Sequence, residues 1–148
     1  MKIPFHKQTT EYNCGPAALQ SIFEFFGKYL PQKKLEELLE TSEAYGTSHA
    51  ALKRVATDLG FTCEVMKYST LKSIRGYLNR GLPVLVNYVE PSDEASHYAV
   101  VTRYSNGEIT LNDPWNGRDF VMKERDFEAR WHNKRNNSKR WLLVVSKE

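Results

Sequence analysis

The chain is short of nearly everything that marks a secreted, metal-bound or membrane-spanning protein. Only two cysteines, Cys14 and Cys63, occur in 148 residues, too few and too far apart for a disulfide or zinc framework. No apolar run approaches the ~20 residues needed to span a bilayer. Met1 to Gln8 lacks the apolar core of a signal peptide. The expectation is a soluble, cytoplasmic protein in a reducing setting, with no membrane insertion. The glycines Gly15 and Gly46 are isolated, so no phosphate-cradling loop is present and no nucleotide or other cofactor is expected. Cysteines and histidines do not cluster at ligand spacing, which excludes an evident metal site. A net charge of +3 and a pI near 8.8 are too mild to argue for nucleic acid. The basic residues are scattered except in Lys134-Arg135-Asn136-Asn137-Ser138-Lys139-Arg140. Such a run is ordinarily a solvated loop and only occasionally a docking patch for an acidic partner.

What is present is a globular composition, 41% apolar and 26% charged, at a length suited to one domain covering residues 1–148. Cys14-Gly15-Pro16 opens a helix, since proline is tolerated in a first turn where its missing N–H is not needed. Ala17 to Phe26 is apolar on nearly every side, the mark of a core helix, and Gly27 ends it. Pro31 starts a short amphipathic helix through Leu35, Leu38 and Leu39. Gly46-Thr47-Ser48 caps another, with Leu52, Val55, Ala56 and Leu59 at helical spacing before Gly60. Phe61 to Tyr68 reads as a strand, and Ser69 or Thr70 caps a helix ending near Gly81. Strands follow at Leu82–Val89 and His97–Tyr104, with Asn106-Gly107 turning into Glu108–Asn112. Phe120–Phe127 is a short strand or a helical turn, and Trp141–Val145 a last strand. Helices first and strands later predict an α+β fold with an antiparallel sheet.

Four residues carry candidate chemistry. Cys14 stands where a helix dipole and free backbone N–H groups lower a thiol pKa. Taken alone, it reads equally as a nucleophile or as a small buried hydrophobe. Gln8, six positions earlier (14 − 8 = 6), supplies a neutral amide suited to an oxyanion donor; a lone glutamine in a polar segment is otherwise a surface residue. His97 opens an apolar strand and titrates near neutrality, as a general base requires. Asp113 lies 16 residues further on (113 − 97 = 16). The Asn106-Gly107 hairpin brings it back beside the start of the His97 strand, where it could orient the imidazole. Its alternative is a turn residue before Pro114. His49 and His132 read as surface residues and Cys63 as a core thiol. Tyr12, Tyr45, Tyr98 and Trp115 are candidate cleft aromatics, Trp115 foremost.

These pieces resemble the C39 peptidase family and its C39-like relatives in the papain-like superfamily. The matching residues are Gln8, Cys14-Gly15-Pro16-Ala17-Ala18, Gly46-Thr47-Ser48, His97-Tyr98-Ala99-Val100-Val101 and Asn112-Asp113-Pro114, in that order. The resemblance implies a papain-like fold, an N-terminal helical subdomain packed on a C-terminal antiparallel β-sheet. It implies a cysteine peptidase in which Cys14 is the nucleophile, His97 the base, Asp113 the orienting acid and Gln8 the oxyanion donor, acting on a peptide or protein substrate. The best-known members are fused to ABC transporters and remove leader peptides after a Gly-Gly pair. No transmembrane segments or ATPase follow here, and Asn13 stands where those domains commonly carry an acid. The expectation is therefore a stand-alone branch, with association with a separate transporter or larger parent protein left open. An acyltransferase using the same cysteine, and a non-catalytic peptide-binding module, are the alternatives.

Overall fold

A computed structural model describes residues 2–134 and 138–147 of the chain. Helix α1 (Cys14–Phe25) buries Ala17, Ala18, Leu19, Ile22 and Phe23, as expected for a helix apolar on nearly every side. Helices α2 (Gln32–Leu38) and α3 (His49–Asp58) follow. The Ser48 hydroxyl caps α3 by accepting from the Ala51 N–H at 3.1 Å. Strand β1 (Thr62–Met66) and helix α4 (Leu71–Asn79) come next, the latter capped by Thr70. Strands β2 (Val84–Glu90), β3 (Ala95–Ser105), β4 (Glu108–Asp113) and β5 (Gly117–Lys123) form a continuous meander. Helix α5 (Glu124–Arg130) and strand β6 (Leu142–Ser146) complete the elements. The segment read as strand or helical turn thus holds both, meeting at Lys123/Glu124.

The six strands form one antiparallel sheet in the order β1-β6-β2-β3-β4-β5. Alternation along the central strands divides the core in two. Leu85, Tyr98, Val100, Leu143 and Val145 face α1 and α3. Val84, Val86, Tyr88, Ala99, Val101, Leu142 and Val144 face Ile74 of α4 and Phe127 of α5. This is the predicted α+β architecture with helices on the sheet. Helices α4 and α5 cover the second face through contacts with β2, β3, β4 and β5, and the entry of β6 between β1 and β2 is a long-range pairing that no local pattern encodes. No helix among the described residues is long and apolar enough to cross a membrane.

Two features of this framework aim at one place. The N-terminus of α1 abuts β3, and the β2–β3 and β3–β4 registers align the ends of those strands. Tyr88 pairs with His97, and Val100 with Asn112. One step beyond that last pair, Asp113 falls opposite Ala99, on the same side of the sheet as His97.

Candidate active site

Cys14 is the first residue of α1 and is partly exposed, with a free thiol. The first helical turn leaves the Cys14 and Gly15 N–H groups outside the helix's own hydrogen bonds. Pro16 has no N–H to offer there. Gly15 is required for a steric reason that its sequence does not announce. A Cβ built on it would lie 2.6 Å from the Thr47 Oγ1 and 2.7 Å from the Thr47 Cβ. Thr47, buried and hydrogen-bonded to Thr41 at 2.7 Å, therefore packs directly on the helix start and brings the loop before α3 against Cys14. Gly15→Ala is expected to cost about 1–3 kcal/mol in chemical denaturation, as overpacking does. A Thr47→Gly background should recover part of that loss; equal costs in both backgrounds would show that the clash is not the cause.

His97 is buried at 6% exposure, and its Nε2 lies 2.6 Å from the Asp113 Oδ1. The carboxylate is an acceptor, so Nε2 carries the proton and Nδ1 is left for Cys14. Burial raises the Cys14 pKa, but the His97 charge, its hydrogen bond and the Tyr98 backbone N–H outweigh it, leaving the thiol below its usual 9.0. Burial likewise disfavours the imidazolium, while the Cys14 charge and the Asp113 hydrogen bond prevail and raise His97 above 6.5. Each partner thus stabilises the charged form of the other, and the geometry favours a thiolate–imidazolium pair.

Asp113 is fully buried, and burial alone would raise its pKa; the His97 hydrogen bond and charge, and Tyr88, hold it below 3.8. Besides His97, the Tyr88 hydroxyl donates to Oδ2, the Trp115 and Asn116 backbone N–H groups to Oδ1 at 2.8 and 3.0 Å, and the Asn116 side chain to Oδ2 at 3.3 Å. Asp113 is thus placed both as a turn residue and as the hydrogen-bond partner of His97. Tyr88 is the residue that sequence reasoning misses. Its signal was available only through register, since it pairs with His97 across β2 and β3.

Gln8 sits beside this group, its backbone N–H donating to the Pro114 carbonyl at 3.1 Å. Its side chain is buried at 8% exposure; one amide hydrogen goes to the Thr10 carbonyl at 2.8 Å. The second remains to donate. All four predicted residues therefore gather where α1 meets the sheet. Asn13 serves a separate purpose, tying the helix start to α2 by donating to Glu36 at 2.7 Å.

A cleft of about 770 Å³ opens from Cys14, lined by the Ala44–His49 loop, Lys67, Tyr68, Asn87, Tyr98 and the described ends of the 133–139 loop. Of the candidate aromatics, Tyr45 and Tyr98 line it. Tyr12 and Trp115 do not, and Trp115 instead stands at 41% exposure beside Pro114. His49, expected at the surface, is half-buried and stacked on Trp141 with ring centroids 4.0 Å apart. The Tyr98 hydroxyl donates to the Thr47 carbonyl at 2.9 Å, so it can only accept from His49 Nδ1 at 2.5 Å. Neutral His49 then accepts from Ser138 through Nε2 at 3.0 Å. Burial, and then the Lys67 charge, hold His49 neutral, with its pKa down to about 4. This chain ties both walls of the cleft to the sheet. Of the other residues set aside, Cys63 is half-buried at the rim of the core and His132 half-buried beside Asn133. Among the described residues no group of three or more His, Cys, Asp or Glu is placed to hold a metal ion.

A helix-start thiol and a strand histidine thus meet on an α+β frame. The chain matches the peptidase C39 family over residues 2–135 and belongs to it. An uncharacterized protein of Methanothermobacter marburgensis is 30% identical over 118 residues, 80% of this chain and 76% of that protein. The transport/processing ATP-binding protein ComA of Streptococcus pneumoniae is 28% identical over 128 residues. That match covers 86% of this chain but 17% of ComA. In fold, the chain is similar to the crystal structure of the peptidase domain of Streptococcus ComA, a bifunctional ABC transporter. The TM-score is 0.80 at 22% identity, covering 97% of this chain and 98% of that one.

Proposed function

We propose that the protein is a cysteine peptidase that cleaves peptide bonds through an acyl-enzyme on Cys14. The observation that carries this reading is the paired geometry of His97: 2.6 Å from a fully buried Asp113 on one nitrogen and facing the Cys14 thiol with the other. In the reaction, the Cys14 thiolate attacks the scissile carbonyl carbon, and the Gln8 amide and the Cys14 N–H stabilise the oxyanion. His97 gives its proton to the leaving amine as the C–N bond breaks, leaving a thioester. It then takes a proton from water, whose oxygen attacks the thioester; collapse of that intermediate expels the Cys14 thiolate, releases the acid and restores the thiolate–imidazolium pair. Asp113 holds the imidazole tautomer and offsets its charge throughout. Family membership and the likeness to transporter peptidase domains support a peptide substrate, and they extend to a working association with a transporter.

The test has two readings on one sample. The pH midpoint of Cys14 alkylation by iodoacetamide is expected below the 9.0 of an ordinary thiol, because thiolate is already populated there. In a peptide mixture analysed by mass spectrometry, new termini should appear together with a Cys14 acyl adduct on acid quenching. A thiol that alkylates readily yet yields no new termini would remove the peptidase reading.

A further inference from the structure

The cleft beside Cys14 has a charge of one sign. Lys67, Lys134 and Lys139 all line it, and none of the described residues lining it is acidic. All three lysines are exposed, and none takes part in an ion pair among the described residues. They converge from two separate stretches of chain: Lys67 follows β1, and Lys134 and Lys139 flank the loop before β6. The convergence is built by backbone bonds. The Tyr68 N–H donates to the Lys139 carbonyl at 2.9 Å, and the Lys134 N–H to the Ser96 hydroxyl at 2.5 Å. Lys67 already exerts its field inside the cleft, where it helps to keep His49 uncharged. Three like charges around one opening repel one another, a cost that an entering negative charge removes. The basic run that reads in sequence as a solvated loop thus has two of its lysines on the wall of the site.

A second observation points to a bound chain. Asn87, on the sheet within the cleft lining, is 5% exposed. Its Nδ2 donates to the His97 carbonyl at 3.3 Å, which can only accept, so the amide orientation is set and Oδ1 points elsewhere. That oxygen is buried with no partner among the described residues. A buried, unanswered acceptor beside a nucleophile suits a backbone N–H of a bound peptide. Tyr45 and Tyr68, 90% and 76% exposed, provide apolar faces and hydroxyl donors at the same mouth.

We propose that this cleft selects peptide segments carrying acidic side chains close to the scissile bond, with Lys67, Lys134 and Lys139 as the specificity-determining residues and Asn87 receiving a backbone N–H. The proposal rests on the peptidase reading for the words "scissile bond", but its binding part can be tested without turnover. The experiment uses the full chain as Cys14→Ala and fluorescent octapeptides in matched pairs, Glu against Gln at each position, with free and amidated C-termini. Affinity is read by anisotropy at low and high salt. Glu peptides should bind roughly tenfold more tightly than their Gln partners at one or two positions, since ~1.4 kcal/mol is tenfold and several screened contacts add to that size. The gap should close as salt rises. In a Lys67→Glu/Lys139→Glu background the preference should invert toward Lys-bearing peptides, a gain that a merely damaged protein cannot produce. Equal binding of Glu and Gln partners overturns the proposal. So does a preference untouched by charge reversal, or one set only by a free C-terminal carboxylate. Glu-selective binding without any cleavage by the wild-type chain would instead keep the proposal's binding part and remove the peptidase reading.

Discussion

Replacing Cys14 by alanine is expected to lower peptide cleavage by about 10,000-fold or more while leaving the fold and peptide affinity in place. The magnitude follows from the way nucleophile and base act as one unit, so that loss of either removes nearly all the covalent route. The fold should survive because Cys14 is the first residue of α1, only partly buried, and packs at the edge of the core formed by Leu19, Ile22 and Phe23. Alanine is the best helix former and introduces no unmet polar group. The change also removes the thiolate charge that helps to raise His97, so the His97 pKa should fall relative to wild type. Steady-state hydrolysis together with NMR titration of the imidazole measures both effects. Retained cleavage at even a tenth of the wild-type rate would place the nucleophile elsewhere.

The second large effect is expected at Asp113. Asp113→Asn keeps the shape, and its Oδ1 can still accept from His97, Trp115 and Asn116, but the negative charge is lost. His97 then has no anion behind it, its pKa falls, and less of the Cys14 thiol is held as thiolate. The expected result is a fall in kcat/KM of roughly 100-fold. The pH midpoint of Cys14 alkylation should move upward, toward that of an ordinary thiol. Stability responds as well. The folded-state pKa of Asp113 lies below 3.8, so its ionised form contributes stability that is present above 3.8 and lost as pH falls through the lower folded value. Asn cannot titrate, so the variant should be less stable at neutral pH, by on the order of 3 kcal/mol for a broken buried pair. Its acid limb in that range should be flatter. A variant with unchanged alkylation pH and unchanged acid limb would show that Asp113 is a turn residue only. Tyr88→Phe, which removes one donor from the same carboxylate, should move both readouts in the same direction by less.

Much of the site is legible in sequence because its residues carry local signals. Cys14 precedes a glycine and a proline at the head of a helix apolar on nearly every side, and α1 begins at that residue. The Asn106-Gly107 turn sets the β3–β4 pairing and so brings the Asp113 end of β4 back toward His97, but the register shift between Val101 and Arg103, which the turn does not announce, puts Asp113 on the His97 side of the sheet. The cap at Ser48 and the stop at Gly27 are likewise short-range chemistry, readable from a few residues.

The residues that sequence reasoning misplaced have their partners far away in the chain. His49 looks like a surface residue at the start of a helix, yet it contacts Tyr98, Ser138 and Trp141, which are 49, 89 and 92 positions away (98 − 49, 138 − 49, 141 − 49). Gly15 reads in sequence only as part of the helix opening, and the steric need for it comes from Thr47 pressing on it. Trp115 looks like a cleft wall because it is near Asp113, but it is not among the residues that line the cleft. Tyr88 carries no motif at all and matters only through a cross-strand neighbour.

The sequence by itself determined which residues could do chemistry, and the order of elements that delivers them. Helix periodicity, capping and hairpin turns are all settled within a few positions. Only the tertiary structure decided what surrounds that chemistry: the five donors around Asp113, the His49 chain that ties the cleft walls, and the three lysines facing one opening. Burial and electrostatic fields are sums over groups distant in sequence, and those sums take a value only when β6 enters between β1 and β2 and the helices close on both faces of the sheet.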